Sequence, residues 1–144
     1  MTMEKIVTTE NIVIAYNSLR GAKLTRLDTA EKFTAIRAMR ALKPMAASLQ
    51  GFIEDAREKL RPEGFDIIER KASAFDTLSD EEKRAVNAAV NAYDADVARC
   101  ISEEASREHT LEFETMTEEA FGRLLDSNDL DMSTILVLQD VLCG

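Results

Sequence analysis

From Asp28 to Leu60 the chain repeats apolar residues at Phe33, Ile36, Met39, Leu42, Met45, Leu49, Phe52 or Ile53, Ala56 and Leu60. Steps of three and four are the period of a helix, not of a strand. A helix over this stretch would run about 50 Å at about 1.5 Å per residue. A rod of that length must lie along another rod to hide its stripe. Asp28 and Glu31 open it with a capping box, and Arg61-Pro62-Glu63-Gly64 ends it. Pro44 falls inside. It removes a backbone donor and crowds the preceding turn, so the sequence predicts a kink or a break near Leu42–Lys43. The stripe keeps phase across Pro44, which favours a kinked continuous helix over two shorter ones.

The natural partner is a second rod. Ser79 and Glu82 form another capping pattern, and Val86, Ala89 or Val90, Tyr93, Val97, Cys100 or Ile101 and Ala105 carry the helical period to about Arg107. Phe65, Ile68, Ala72 and Phe75 predict a short helix in the tip, residues 61–79. Residues 4–8 are β-prone, and Thr8 or Thr9 can cap a helix over 10–19. His109 to Glu114 alternates polar and apolar residues, the strand period. The two strands, 4–8 and 109–114, are expected to pair. Thr115 with Glu118 predicts a cap for a helix over 116–126, and Ser133 a cap for one over 133–142. The expected fold is mainly α: a long antiparallel helical hairpin (28–60 with 80–107), with a small two-stranded sheet and short helices at its open end. The length of 144 residues suits one domain.

Charge divides this chain unevenly. The formal net charge is −9. Residues 1–61 carry 11 Lys and Arg against 7 Asp and Glu, and residues 62–144 carry 7 against 20. The economical reading is that opposite charges face one another across the fold. The sharper one is that the acidic half offers a docking face to a basic partner. The acidic balance argues against nucleic acid as the main ligand. The basic cluster Arg20, Lys23, Arg26, Lys32, Arg37, Arg40 and Lys43 lacks the interleaved aromatics that stack bases. No apolar run approaches the roughly 18 residues of a membrane span, and no signal-peptide pattern opens the chain. An intracellular protein, or a part of a particle assembled inside a cell, is expected. Cys100 and Cys143 are then expected to be reduced.

Motifs of chemistry are missing. His109 is the one histidine and has no ligand-spaced neighbours. Neither a phosphate-binding glycine loop nor a nucleophile elbow occurs. Asp126-Ser127-Asn128-Asp129-Leu130-Asp131 has the flavour of a calcium loop, but lacks its central glycine and carries Val137 at the twelfth position. A helix-linking loop is the better account. No catalytic residue, cofactor or metal is expected, and the chain reads as a non-enzyme that binds protein. The candidate contact residues are a basic stripe (Arg37, Arg40, Lys43) and an acidic end (Glu112, Glu114, Glu118, Glu119, Asp126, Asp129, Asp131), although a solvated face would explain each one singly.

Several landmarks occur in a fixed order: Tyr16-Asn17-Ser18-Leu19, then Lys23-Leu24, two long helices, an acidic strand, and Leu136-Val137-Leu138-Gln139-Asp140-Val141-Leu142. This arrangement resembles small helical proteins of unknown function from tailed phages and prophages of bacteria, including gut Bacteroides-type hosts. The resemblance spans nearly the whole chain. It implies expression in the bacterial cytoplasm during phage production and a role in virion structure or assembly, with other phage proteins or the chain itself as partners. The alternative from the charge division is an acidic regulatory or anti-host protein that blocks a basic, nucleic-acid-binding host protein.

Overall fold

A computed structural model describes residues 2–144. The protein is mainly α. In order come β1 (Thr2–Thr8), α1 (Thr9–Arg20), α2 (Thr29–Lys59), α3 (Phe65–Ser73), a 3-10 turn (Phe75–Thr77), α4 (Asp80–Ala105), β2 (Glu108–Glu114), α5 (Glu118–Asp126) and α6 (Met132–Leu142). These form two compact units. Among the described residues, 2–50 and 105–144 make the first, and 51–104 the second.

In the first unit β1 and β2 pair antiparallel, with Lys5 opposite Leu111 and Ile6 opposite Thr110. Side chains alternate across the ribbon. Val7, Leu111 and Phe113 point to the core, while Glu4, Ile6, Thr110 and Glu112 face solvent. α1 packs along α6. Ile12, Ala15 and Leu19 of α1 meet a core that also holds Ala35, Ala38 and Leu42 of α2, Phe121 and Leu124 of α5, and Leu138, Val141 and Leu142 of α6.

Lys5 explains how the ribbon holds α6. Its ammonium donates to the carbonyls of Asp140 and Cys143. The last carbonyls of a helix lack partners within the helix and carry its negative dipole end, so a cation there satisfies both needs. Met116 N–H donates to Leu142 O at 2.7 Å, and Met116 bridges Cys143 in parallel. This bridge carries the extended backbone past the end of β2, and it corrects one expected cap. Thr117, not Thr115, caps α5, accepting from Ala120 N–H at 3.1 Å. A second correction concerns α6. Asp131 rather than Ser133 caps it, accepting from Thr134 N–H at 2.8 Å and from Ser133 Oγ at 3.1 Å. A carboxylate caps as well as a hydroxyl and gains from the dipole as well.

The capping box of α2 is reciprocal: Glu31 N–H donates to Asp28 Oδ1 at 2.8 Å and Asp28 N–H to Glu31 Oε1 at 3.0 Å. Thr8 caps α1, and Ser79 Oγ accepts from Glu82 N–H before α4. α2 runs unbroken through Pro44. Pro44 is exposed. The carbonyl that loses its helical donor, that of Arg40, therefore lies on the wet side of the helix, where water can take the missing bond.

The buried stripe of α2 is Ala35, Ala38, Leu42, Leu49 and Ala56. Phe33, expected on this stripe, is 53% exposed. It lies nine residues before Leu42, which at about 100° per residue is the opposite side of the helix. Two alanines take the inner positions instead and allow close approach.

The second unit is a helical hairpin. Tyr93 O–H donates to the Arg57 carbonyl and its ring meets Phe65 at 4.8 Å, while Cys100, further along α4, flanks Phe52 and Ala56. Later residues of α4 thus meet earlier residues of α2, as antiparallel helices require. Val86, Tyr93 and Cys100 recur every seven residues, as do Val90 and Val97, the spacing of a two-helix seam. Ala56, Phe65, Val86 and Val97 are the buried residues here. Gly64 starts α3 at φ 77°, a left-handed conformation that suits glycine.

Candidate protein-binding surfaces

The outward side of α2 in the first unit carries Phe33, Arg37 and Arg40, with Lys43 at its flank; all four are exposed. The helical period places them there, because residues 33, 37 and 40 repeat at four and three. Arg37 reaches Glu114 at the end of β2, with N···O at 3.3 Å. The structure thus joins one residue of the basic stripe to one of the acidic end.

The solvent face of the ribbon holds Glu112 directly opposite Glu4. Like charges in direct cross-strand positions destabilise a ribbon. Ile6, beside this pair on the same face, is 69% exposed. Sequence reasoning missed both Glu4 and Ile6. The signal was present in Lys5-Ile6-Val7: on a strand, Ile6 and Val7 cannot both face the core.

The other acidic candidates scatter. Glu118 and Glu119 are exposed in the first turn of α5, where the dipole favours them. Asp126 and Asp129 are exposed at the end of α5 and in the loop beyond it. Asp131 is spent on its cap. Hydrogen bonds from Thr134, then from Ser133, hold its carboxyl below the ordinary value. The loop that carries these residues has a structural role. Asn128 Oδ1 accepts from Lys23 N–H at 2.8 Å, and its Nδ2 donates to Lys23 O at 2.8 Å and Leu124 O at 2.9 Å. Arg26 N–H donates to Ser127 Oγ at 3.1 Å. These side chains sew the linker after α1 to the loop after α5, which accounts for the polar run that looked like a calcium loop.

Arg123 grips Glu31 with two guanidinium nitrogens; Nε lies 2.9 Å from Oε1. That bond, followed by the one from the Asp28 backbone, lowers the Glu31 carboxyl below its ordinary value, and Glu31 in turn raises Arg123. Both partners are engaged within the fold, so neither is a free recognition group.

His109 is likewise engaged. His109 Nε2 lies 2.6 Å from Thr9 Oγ1, and Thr9 N–H donates to Arg107 O at 3.0 Å. His109 therefore pins β2 to the start of α1. Burial pushes the Cys143 thiol above its ordinary value, the opposite of nucleophile activation. Among the described residues no three His, Cys, Asp or Glu side chains converge to hold a metal, and no helix is long and apolar enough to cross a membrane. An open groove of about 410 Å³ between α1 and α2 is lined by Tyr16, Asn17, Arg20, Lys43 and Gln50 over Val13, Ala46 and Ala47. Family models, curated proteins and solved structures give no match to this chain.

Proposed function

We propose that this chain is a non-enzymatic phage or prophage protein that acts through protein–protein contacts, as a virion component or an assembly factor. The observation that carries the contact role is the solvent-facing surface of the first unit. Large apolar side chains, Phe33 and Ile6, stand outward on regular elements among charged neighbours rather than at loop tips. A rim of charge around an apolar centre is the anatomy of a protein interface. The phage assignment rests on the sequence landmarks from Tyr16 to Leu142.

Quantitative mass spectrometry of purified particles from an induced host tests the reading. A copy number that matches a symmetric ring or a tail repeat is expected for a virion component. Absence from particles with abundance in the lysate, together with capsid or tail precursors co-purifying, is expected for an assembly factor. Co-purification with a basic host protein instead would favour the blocking role, for which the opposed Glu4 and Glu112 speak. A chain that binds neither phage nor host protein would overturn the proposal.

A further inference from the structure

We propose that the outward face of the first unit is a self-complementary interface, and that its partner is a second copy of this chain. The inference rests on the contact role above and names the partner. Two neighbouring surfaces carry it. One is the ribbon face, with exposed Ile6 beside the directly opposed Glu4 and Glu112. The other is the α2 face, with exposed Phe33 beside Arg37, Arg40 and Lys43. Each pairs an unpartnered apolar side chain with charge of a single sign, and the signs are opposite. The Arg37–Glu114 ion pair at 3.3 Å is the seam where the two surfaces meet within one molecule.

This adjacency selects the symmetry. A two-fold contact is made by the same patch on both subunits, so residue i meets j and j meets i. Two abutting patches of opposite charge satisfy that rule: the ribbon of one copy lies on the α2 face of the other, twice. Glu4 and Glu112 repel each other within the ribbon. Arg40 and Lys43 of the second copy would relieve that repulsion, and Ile6 and Phe33 would leave water. The net charge of −9 opposes association at long range. At physiological salt the screening length is about 8 Å, which damps that repulsion and spares groups in contact.

The test uses two double variants of the full chain, each confirmed folded by circular dichroism. Glu4→Lys with Glu112→Lys makes both patches basic. Arg40→Glu with Lys43→Glu makes both acidic. Sedimentation of the wild type is expected to show a dimer. Each double variant alone is expected to dissociate, its dimer dissociation constant raised at least about tenfold. Mixed in equal amounts, the two are expected to form a heterodimer, because both contacts are attractive again. A wild type that stays monomeric to about 1 mM, variants that dimerise as the wild type does, or a mixture that stays monomeric would each overturn the inference. Such a failure leaves the contact role standing, because particle copy number and partner co-purification decide that separately.

Discussion

The first unit and the second are both largely helical, yet they are held in different ways. In the first, side chains from four helices and a ribbon converge on one core, and Ile12, Ala15, Ala38, Leu42 and Leu142 lose all contact with solvent. Polar side chains then fasten the periphery: Lys5 on α6, Arg123 on Glu31, Asn128 on the linker after α1. In the second, α4 buries only Val86 and Val97 on a narrow seam. Its ion pairs are exposed, such as Arg70–Asp66 at 3.6 Å and Lys71–Glu82 at 3.9 Å, and pairs of that kind add little. Convergence of many elements buries apolar area on every side of a residue; two helices bury it on one. The first unit should therefore be the more stable body, and it is the one that carries the outward face of Phe33 and Ile6.

Substitutions can break that contrast. The largest effect is expected at Leu142, which has no exposed surface. Leu142→Ala should cost about 2–5 kcal/mol in the denaturant unfolding of the first unit. A loss no larger than that of a surface change would mean the core is not where it is placed here. Next comes Lys5→Met, which strips the donor from two carbonyls at the end of α6; about 1–3 kcal/mol is expected. Val97→Ala in the second unit should cost less than Leu142→Ala, about 1–2 kcal/mol, because it removes fewer carbon atoms. Its effect on hydrogen exchange should stay within residues 51–104. Spread of the effect into α1 and α6 would show that the two units unfold together.

The smallest effect sharpens the contrast through pH. Glu31 and Asp131, both in the first unit, have folded-state carboxyls below their ordinary values. A depressed carboxyl stabilises the fold above its unfolded value, and that contribution is lost as pH falls through the folded one. Acid below about pH 4 should therefore weaken the first unit selectively. In Glu31→Gln the loss between neutral and acid pH should be smaller than in the wild type, as followed by thermal unfolding. An unchanged acid profile would remove Glu31 from the account.

The sequence made the helices legible because period and caps agree. Asp28 with Glu31 and Ser79 with Glu82 mark the starts of α2 and α4, and both bond as expected. Long-range effects were hidden. The Met116 bridge to Cys143 moved the cap of α5 to Thr117, and it joins residues far apart in the chain. Phe33 falls on the wrong side because Phe33, Ile36, Met39 and Leu42 are successive steps of three; each falls about 60° short of a turn, and together they make half a turn. Ala35 and Ala38, the true inner positions, are too small to announce themselves. At the surface, Arg37 and Glu114 are each legible as charged contact residues, yet their ion pair depends on how α2 lies beside β2. The opposition of Glu4 and Glu112 needs the strand register, and sequence alone does not set it.

Native-state hydrogen exchange, followed residue by residue in increasing denaturant, tests the contrast between the units most directly. The amides of Val86 to Val97 in α4 should open with a smaller free energy than those of Ile12 to Leu19 in α1 and Leu138 to Leu142 in α6. The two groups should converge only near the global transition. One common opening free energy for both groups from the start would contradict the account.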